Sequence, residues 1–467
     1  MKISLPPKTA APLDPDFLPA SLFNRQSLAA AEKSGRTVPL VIGLERERGF
    51  VSRYETVVKA ETDPDTLRYV ERIVKNLLWV RGGWKIYFGG PEQIGEYIRR
   101  CYSSDGERKF DVELMSRVYE RPFEVVIMEA ESVPAERDMK VAFGGHLEGC
   151  RIGFDLGASD YKVAAVSDGE VVYSDEFPWN PKDQPDPQYH YDHLNRGLKQ
   201  AAAHLPRVDA IGGSSAGVIV DNKIMVASLF RAVPPAQFDA AKNIFLRLGS
   251  EWKVPLEAAN DGDVTALAGA MGLKANGMLG VAMGSSQAAG YLDSKGGMTG
   301  WLSELAFAPV DYNPNAAADE WSGDRGVGAL YFSQQAVNKL LPAAKINLPT
   351  EMDLPERLKE VQGLMEKGDA RAERIYETIG AYLGHTIPHY ADFYEFEHLL
   401  ILGRVTTGQG GDIVLARARE ILKSEFPEVA GKIQLHVPDE KTRRVGQAVA
   451  AASLPVFQQS STERLGH

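Results

Sequence analysis

The feature that most constrains this chain is a recurring shape. Three times an apolar strand runs into a turn of small residues and out into a second apolar strand: FDLGASDYKVAAV from Phe154, IGGSSAGVIVDN from Ile211 and LGVAMGSSQAAGYL from Leu279. In such a turn no bulky Cβ stands in the way, so backbone N–H groups can converge on an anion. An ordinary β-hairpin reads the same way locally. No exact repeat is visible, but hairpins opening two halves of a protein suggest duplicated α/β lobes around a cleft.

At 467 residues the chain is too long for one simple core and suggests two or three domains. With 44% hydrophobic and 25% charged residues, its composition is that of an ordinary soluble globular protein. A net charge of −11 disfavours a broad nucleic-acid footprint, which needs clustered Lys and Arg. Cys101 and Cys150 are too few for a disulfide framework or a Cys-rich zinc site. The start, MKISLPPKTAAPLDPD, lacks the apolar stretch of a signal peptide, and no run approaches the ~18 apolar residues of a membrane span. A cytoplasmic protein without membrane contact is expected.

Residues 1–147 read as a separate α/β domain. A Pro-rich extended arm covers the first 20 residues. TVPLVIGLERE reads as a strand. DPDTLRYVERIVKNLLWV reads as a helix, with Leu67, Val70, Ile73, Val74, Leu77 and Leu78 at helical spacing behind Asp63-Pro64. WKIYFGGPEQIGEYIRRCY gives a strand, a Gly-Gly turn and a helix opened by Pro91. No tandem short helices and no basic face point to DNA binding. From 148 to 467 the shape repeat takes over. FDAAKNIFLRLGSEW reads as one helix, residues 335–395 as mostly helical, and HLLILGRVTTGQGGDIVLA as a buried strand, a Gly-rich loop and a helix.

Four segments carry possible chemistry. Gly157, Ala158 and Ser159 form the first turn, and Asp155 at its strand end could hold Mg²⁺ through water, or simply be solvated. Gly284, Ser285 and Ser286 offer a second set of amides. Gly403, Gly408, Gly410 and Gly411 would let a flat base or ribose approach, with an anion-favouring helix N-terminus behind, unless the loop is a plain connection. In AANDGDVTALAGA, Asp261 could accept a proton from a substrate hydroxyl while Asn260 holds a neighbouring one. Alternatively Asp261 or Asp263 caps the Ala-rich helix, and Asp263 suits that role better.

The order of these parts resembles the ROK family of sugar kinases and repressors, within the actin-like ATPase superfamily, over residues 150–457. FDLGASDYKVAAV resembles its first phosphate segment, IGGSSAGVIVDN its Gly-x-Pro-Gly loop, EAANDGDVTALAGA its Glu-Asn-Asp-Ala-Asn segment, LGVAMGSSQAAGYL its second phosphate segment, and LILGRVTTGQGGDIVLARAREIL its adenosine segment. The resemblance implies a two-lobed actin-like (ribonuclease H-like) α/β fold beside the N-terminal domain, with ATP and Mg²⁺ as cofactors. It also implies a sugar or polyol substrate, Asp261 as general base, Asn260, Glu304, Gly213 and Ser214 at the substrate, and a homodimer. A non-catalytic sugar sensor on the same fold is the alternative.

The departures are specific. Phe307 stands where the family has a His, and Glu320, Ser322 and Val327 stand where it has three zinc-binding Cys. Ala329 replaces a sugar-contacting Glu. No zinc is expected without those ligands, and a sugar site with fewer polar partners is expected to take an unusual substrate or to bind without turnover. Trp301, Phe307 and Tyr312 either line a more apolar pocket or belong to the core.

Overall fold

The computed structural model describes residues 6–138, 144–438 and 446–456. They form two compact units. The first comprises the described residues of Met1–Lys140 with Leu279–Tyr291 and Thr299–Pro438; the second comprises those of Val141–Met278, Leu292–Met298 and Asp439–His467. This division does not follow the boundary expected near residue 147. The reason is burial: Leu40, Val74, Trp79 and Phe88 share one hydrophobic core with Val281, Tyr331, Ile379 and Ile401.

Of the expected extended arm, residues 1–5 lie outside the described residues. The stretch 6–19 is non-helical, and its Phe17 packs edge-on against Tyr382 at 4.7 Å. Then follow α1 (Ala20–Lys33), β1 (Thr37–Glu45), β2 (Val51–Lys59), α2 (Pro64–Arg81), β3 (Lys85–Gly89), α3 (Glu92–Cys101), α4 (Lys109–Tyr119) and β4 (Glu124–Met128). The sheet order is β2-β1-β3-β4, with β1 antiparallel to β2 and β3, and β3 parallel to β4. Helix α2 starts where Asp63-Pro64 predicts. The Asp63 carboxylate accepts from the Thr66 N–H at 2.7 Å, satisfying one of the first-turn amides that a helix leaves unpaired.

The second unit holds β5 (Cys150–Leu156), β6 (Asp160–Ser167), β7 (Glu170–Pro178), α5 (Pro187–Ala202), β8 (Ala210–Ser215), β9 (Val218–Val220), β10 (Lys223–Val226), α6 (Phe238–Lys242), α7 (Ile244–Trp252), β11 (Leu256–Asn260) and α8 (Asp261–Leu273). The one helix expected over 238–252 is two, divided at Asn243. The sheet order is β11-β8-β5-β6-β7. Strands β5, β8 and β11 are parallel, while β5, β6 and β7 form an antiparallel meander.

Back in the first unit come β12 (Met278–Met283), β13 (Gln287–Leu292), α9 (Gln334–Leu340), α10 (Leu354–Glu366), α11 (Ala370–Ala391), β14 (His398–Leu402), α12 (Gln409–Glu425), α13 (Pro427–Ala430) and β15 (Gln434–His436). Their sheet order, β13-β12-β14-β15, repeats the order β6-β5-β8-β11. The shape repeat is therefore a repeat of topology at 155 and 285. At 213 it is not a hairpin, because Gly217, at φ +111°, leads the chain into the separate β9–β10 sheet. The last helix among the described residues, α14 (Gln447–Ala452), packs on β5 and β8 of the second unit.

One face of α2 is polar and yet buried. Glu71, Arg72 and Lys75 on α2, with Arg108 and Asp111 beside them, surround Asp324 from the loop after residue 310. Asp324 accepts from Arg108 at 2.7 Å, Arg72 at 3.2 Å and Lys75 at 3.1 Å, while Glu71 bonds Arg72 at 2.7 Å and Arg108 at 2.6 Å. Burial resists these charges, but the surrounding cations win and hold Glu71 down to about 2 and Asp324 far below the usual carboxylate range. Removing one member of such a network strands the others. Asp324→Ala is expected to lower the unfolding free energy by about 3–5 kcal/mol, measured by urea denaturation; a loss under about 1 kcal/mol would show the network to be dispensable.

Candidate functional site

In the second unit, β5, β8 and β11 end side by side. The register pairs Asp155 with Ser214 and Asn260 with Ser215. Ligands of open α/β sheets bind beyond the carboxyl ends of parallel strands. Here Ser214 Oγ donates to Asp155 Oδ1 at 2.7 Å. Asp261 opens α8 directly after β11 and feels the Asp155 carboxylate. Burial, and then that charge, push Asp261 up to about 6 against the amides of Gly262 and of Asp261 itself. Burial raises Asp155 as well, with the Ser214 hydrogen bond and Lys162 opposing. Two partly buried carboxylates that resist ionisation together suit a cation, and a Mg²⁺ that keeps its waters needs no larger protein cage. Among the described residues no group of three or more His, Cys, Asp or Glu could hold a metal ion.

Asn260, not Asp261 or the favoured Asp263, caps α8. Its Oδ1 accepts from the Gly262 N–H at 2.7 Å and its Nδ2 donates to Gly217 O at 2.7 Å. The short amide reaches the helix and the β8–β9 turn at once, which a carboxylate cannot do because it has no donor. Both polar ends of the expected sugar ligand are thus engaged in the fold. Gly213 and Ser214 are likewise strand residues rather than loop residues. A Cβ on Gly213 would meet the Phe154 ring at 2.2 Å, and Ser214 is fully buried. Sequence reasoning missed Gln447, whose Nε2 donates to Asp261 O at 2.8 Å. It also missed Trp179, which donates to Gly157 O at 2.9 Å and, from its backbone, to Ser159 O at 3.1 Å. No local signal marks either residue.

The two small-residue turns share a device. Gly157 N–H donates to Asp160 O at 3.0 Å, and Gly284 N–H donates to Ser286 O at 3.0 Å. Each glycine amide is therefore used by its own turn, so the expected three-amide cradles lose one donor each. Ala158, Ser159, Ser285 and Ser286 are exposed, and among the described residues no turn or loop carbonyl takes their amides. Asp160 also accepts from Ser159 Oγ at 2.9 Å, which sets a carboxylate at the first turn.

In the first unit, Gly403 brings the Gly-rich loop to the second turn. At φ +100° it lies where a Cβ would stand 2.6 Å from Met283 O. Gly408, exposed and at φ +64°, precedes α12. Gly410 and Gly411 do not belong to a loop: they are buried in the first turn of α12, where a Cβ would meet the Tyr376 ring at 2.4 Å and Thr406 O at 2.5 Å. Close helix packing, not a base or ribose, accounts for these two. Gln362 braces the loop by donating to Arg404 O at 2.9 Å and Thr407 Oγ1 at 3.0 Å.

Glu304 lies on a segment that caps α2. Ser303 N–H donates to Val80 O at 2.9 Å and Glu304 N–H to Trp79 O at 3.0 Å, satisfying carbonyls that the helix end leaves unpaired. The apolar residue at 307 has a partner there: the Phe307 ring lies 4.5 Å from Trp79 and 5.4 Å from both Phe110 and Trp321. Phe307 and Tyr312 are core residues, and Trp301 stacks on Tyr291 at 5.5 Å, so the three do not make an apolar pocket. The loop carrying Glu320, Ser322, Val327 and Ala329 folds around Asp319, which accepts from the Ser322 N–H at 2.7 Å, and around Asp324 in its cationic cluster.

No family model matches the sequence. No curated protein matches it. Among solved structures, the ROK hexokinase from Thermus thermophilus superposes with a TM-score of 0.51 at 17% identity, over 65% of this chain and 97% of the hexokinase. This is the ROK fold. A ROK family transcriptional regulator, a homolog of the E. coli MLC protein, superposes with a TM-score of 0.51 at 18% identity, over 66% of this chain and 79% of the regulator. At these identities the likeness is one of fold, and the ROK fold supports both a kinase and a regulator.

The folded Asp261 carboxyl holds its proton to about pH 6, whereas the ordinary value is 3.8. Ionisation therefore favours unfolding as pH rises through that window. Asp261→Asn is expected to gain melting temperature relative to the parent between pH 4 and pH 6, with the gain complete above. A difference that stays constant with pH would contradict the shift.

Proposed function

We propose that this chain is a divergent ROK sugar kinase that transfers phosphate from ATP to a hydroxyl of a sugar or sugar-like polyol. The observation that carries the reading is that Asp155, near the end of β5, and Asp261, directly after β11, stand at the same end of the parallel strands β5, β8 and β11. A carboxylate with a pKa near the working pH is what proton abstraction asks of a general base. In this reading Asp261 takes the proton of the attacking hydroxyl. Asp155 orders Mg²⁺, which when bound would neutralise charge on the transferring phosphoryl group. Ser214 orients Asp155, and Gln447 fixes the backbone of Asp261. In the second unit the exposed Ala158 and Ser159 offer amides to a phosphate; in the first unit Ser285 and Ser286 do the same, and Gly408, with open space around it, leaves room for adenosine. Glu304 contributes a carboxylate for sugar hydroxyls. The hexokinase of the same fold supports the reaction class.

A second reading, a sugar-responsive regulator without turnover, is favoured by one observation. The Asp160 carboxylate sits at the first turn, where it opposes an approaching phosphate. Asp324 and Phe307, which tie the altered loops to the N-terminal helices, are compatible with either reading.

The test is ADP release from Mg-ATP across hexoses, N-acetylhexosamines and polyols. Release is expected with one substrate class, and Asp261→Asn should lower kcat by about 10²–10⁴-fold. Sugar binding without ADP release would move the assignment to the regulator. An unchanged kcat in Asp261→Asn would remove the base.

A further inference from the structure

The first unit contains a polar cavity of about 490 Å³ whose lining includes none of the residues assigned above to ATP or sugar. Its wall is shared by the N-terminal helices and the 311–325 loop, and four arginines line it: Arg68, Arg72, Arg108 and Arg325. Four carboxylates line it too, so its formal charge is balanced, but the pairing is not. Glu71 and Asp324 are bound to Arg72 and Arg108. Glu107 is bound to Arg108 at 3.0 Å. Asp311 accepts from the Leu18 N–H at 2.9 Å, the Asn313 N–H at 2.8 Å and the Tyr331 hydroxyl at 2.6 Å. Every carboxylate is thereby supplied.

Two guanidiniums are not. Among the described residues no carboxylate hydrogen-bonds or ion-pairs with the Arg68 side chain, which lies over the Phe23 ring at 5.7 Å. The Arg325 side chain donates to one backbone carbonyl, Ala316 O, at 2.7 Å. Burial, and then the neighbouring Arg72, lower the Arg68 pKa from its usual value, with Asp311, Asp65 and Glu71 opposing without pairing to it directly. Guanidinium forks match oxyanions geometrically, and the volume is that of a small-ligand site.

We infer that this cavity is a binding site for a small oxyanionic metabolite, a phosphate monoester or a carboxylate, held by Arg68 and Arg325 against the paired Arg72 and Arg108. Such a site gives the N-terminal residues a ligand of their own. The inference does not rest on the kinase reading.

The test uses the full chain in a phosphate-free buffer, titrated calorimetrically with inorganic phosphate and separately with succinate. The parent protein is expected to bind at least one probe saturably, and Arg68→Gln and Arg325→Gln should each weaken that binding about ten-fold. Binding of phosphate alone identifies a phosphate monoester, and binding of succinate alone identifies a carboxylate. Arg325 is exposed, so Arg325→Gln keeps its fold and carries the test even if Arg68→Gln does not. Failure of both probes into the millimolar range, or binding indifferent to Arg325→Gln, overturns the site.

Discussion

The closeness of α14 to the sheet of the second unit is the constraint on which the candidate site depends. A Cβ on Gly153 would lie 1.6 Å from Ala448 O, and one on Gly212 would lie 1.7 Å from Ala451 O. No side chain fits at either position, so the helix rests directly on the backbones of β5 and β8. Arg151, fully buried, holds its far end by donating to Pro455 O at 2.7 Å and Ala452 O at 3.3 Å, where a helix C-terminus welcomes a cation. The near end then delivers Gln447 to Asp261 O and, at 3.5 Å, to Ser214 Oγ. The carboxylates are held in place from a segment almost 190 residues along the chain from Asp261.

Within the first unit the N-terminal residues play a comparable part. They do not sit beside a finished core but supply part of one. The Trp79 and Val80 carbonyls receive the segment that bears Glu304, Trp79 and Phe110 pack on Phe307, and Arg72, Lys75 and Arg108 hold Asp324. A His at 307 would bring a polar ring into that aromatic cluster, so the Phe at this position has a packing reason on this chain. The burial of so many charges also argues that specificity of docking, rather than net stability, is what the network supplies.

Much of this was legible in the sequence, for identifiable reasons. Helix α2 was readable because a cap, a Pro and a 3.6-residue apolar stripe coincide. The duplicated topology was readable because strand–turn–strand signals at 155 and 285 are local. The placing of Asp155 and Asp261 at one end of the same sheet was not legible, since no local pattern tells two strands that they end side by side. What stayed hidden is of one kind. Gly410 and Gly411 look like ligand glycines until the partner that excludes their Cβ is known. Likewise, Asn260 looks like a ligand until both ends of its amide are seen to be bonded. The shared core of the first unit was hidden because Asp324 and Lys75 are far apart along the chain and each reads alone as a surface charge.

The central claim is that Asp261 is a proton acceptor tuned by burial and by Asp155. Its most direct test is the pH dependence of sugar-dependent ADP formation. The account predicts that kcat/KM rises with pH along a single limb centred near the Asp261 value of about 6 and is level above it. A profile flat from pH 5 to pH 8, in a protein that stays folded throughout, would contradict it.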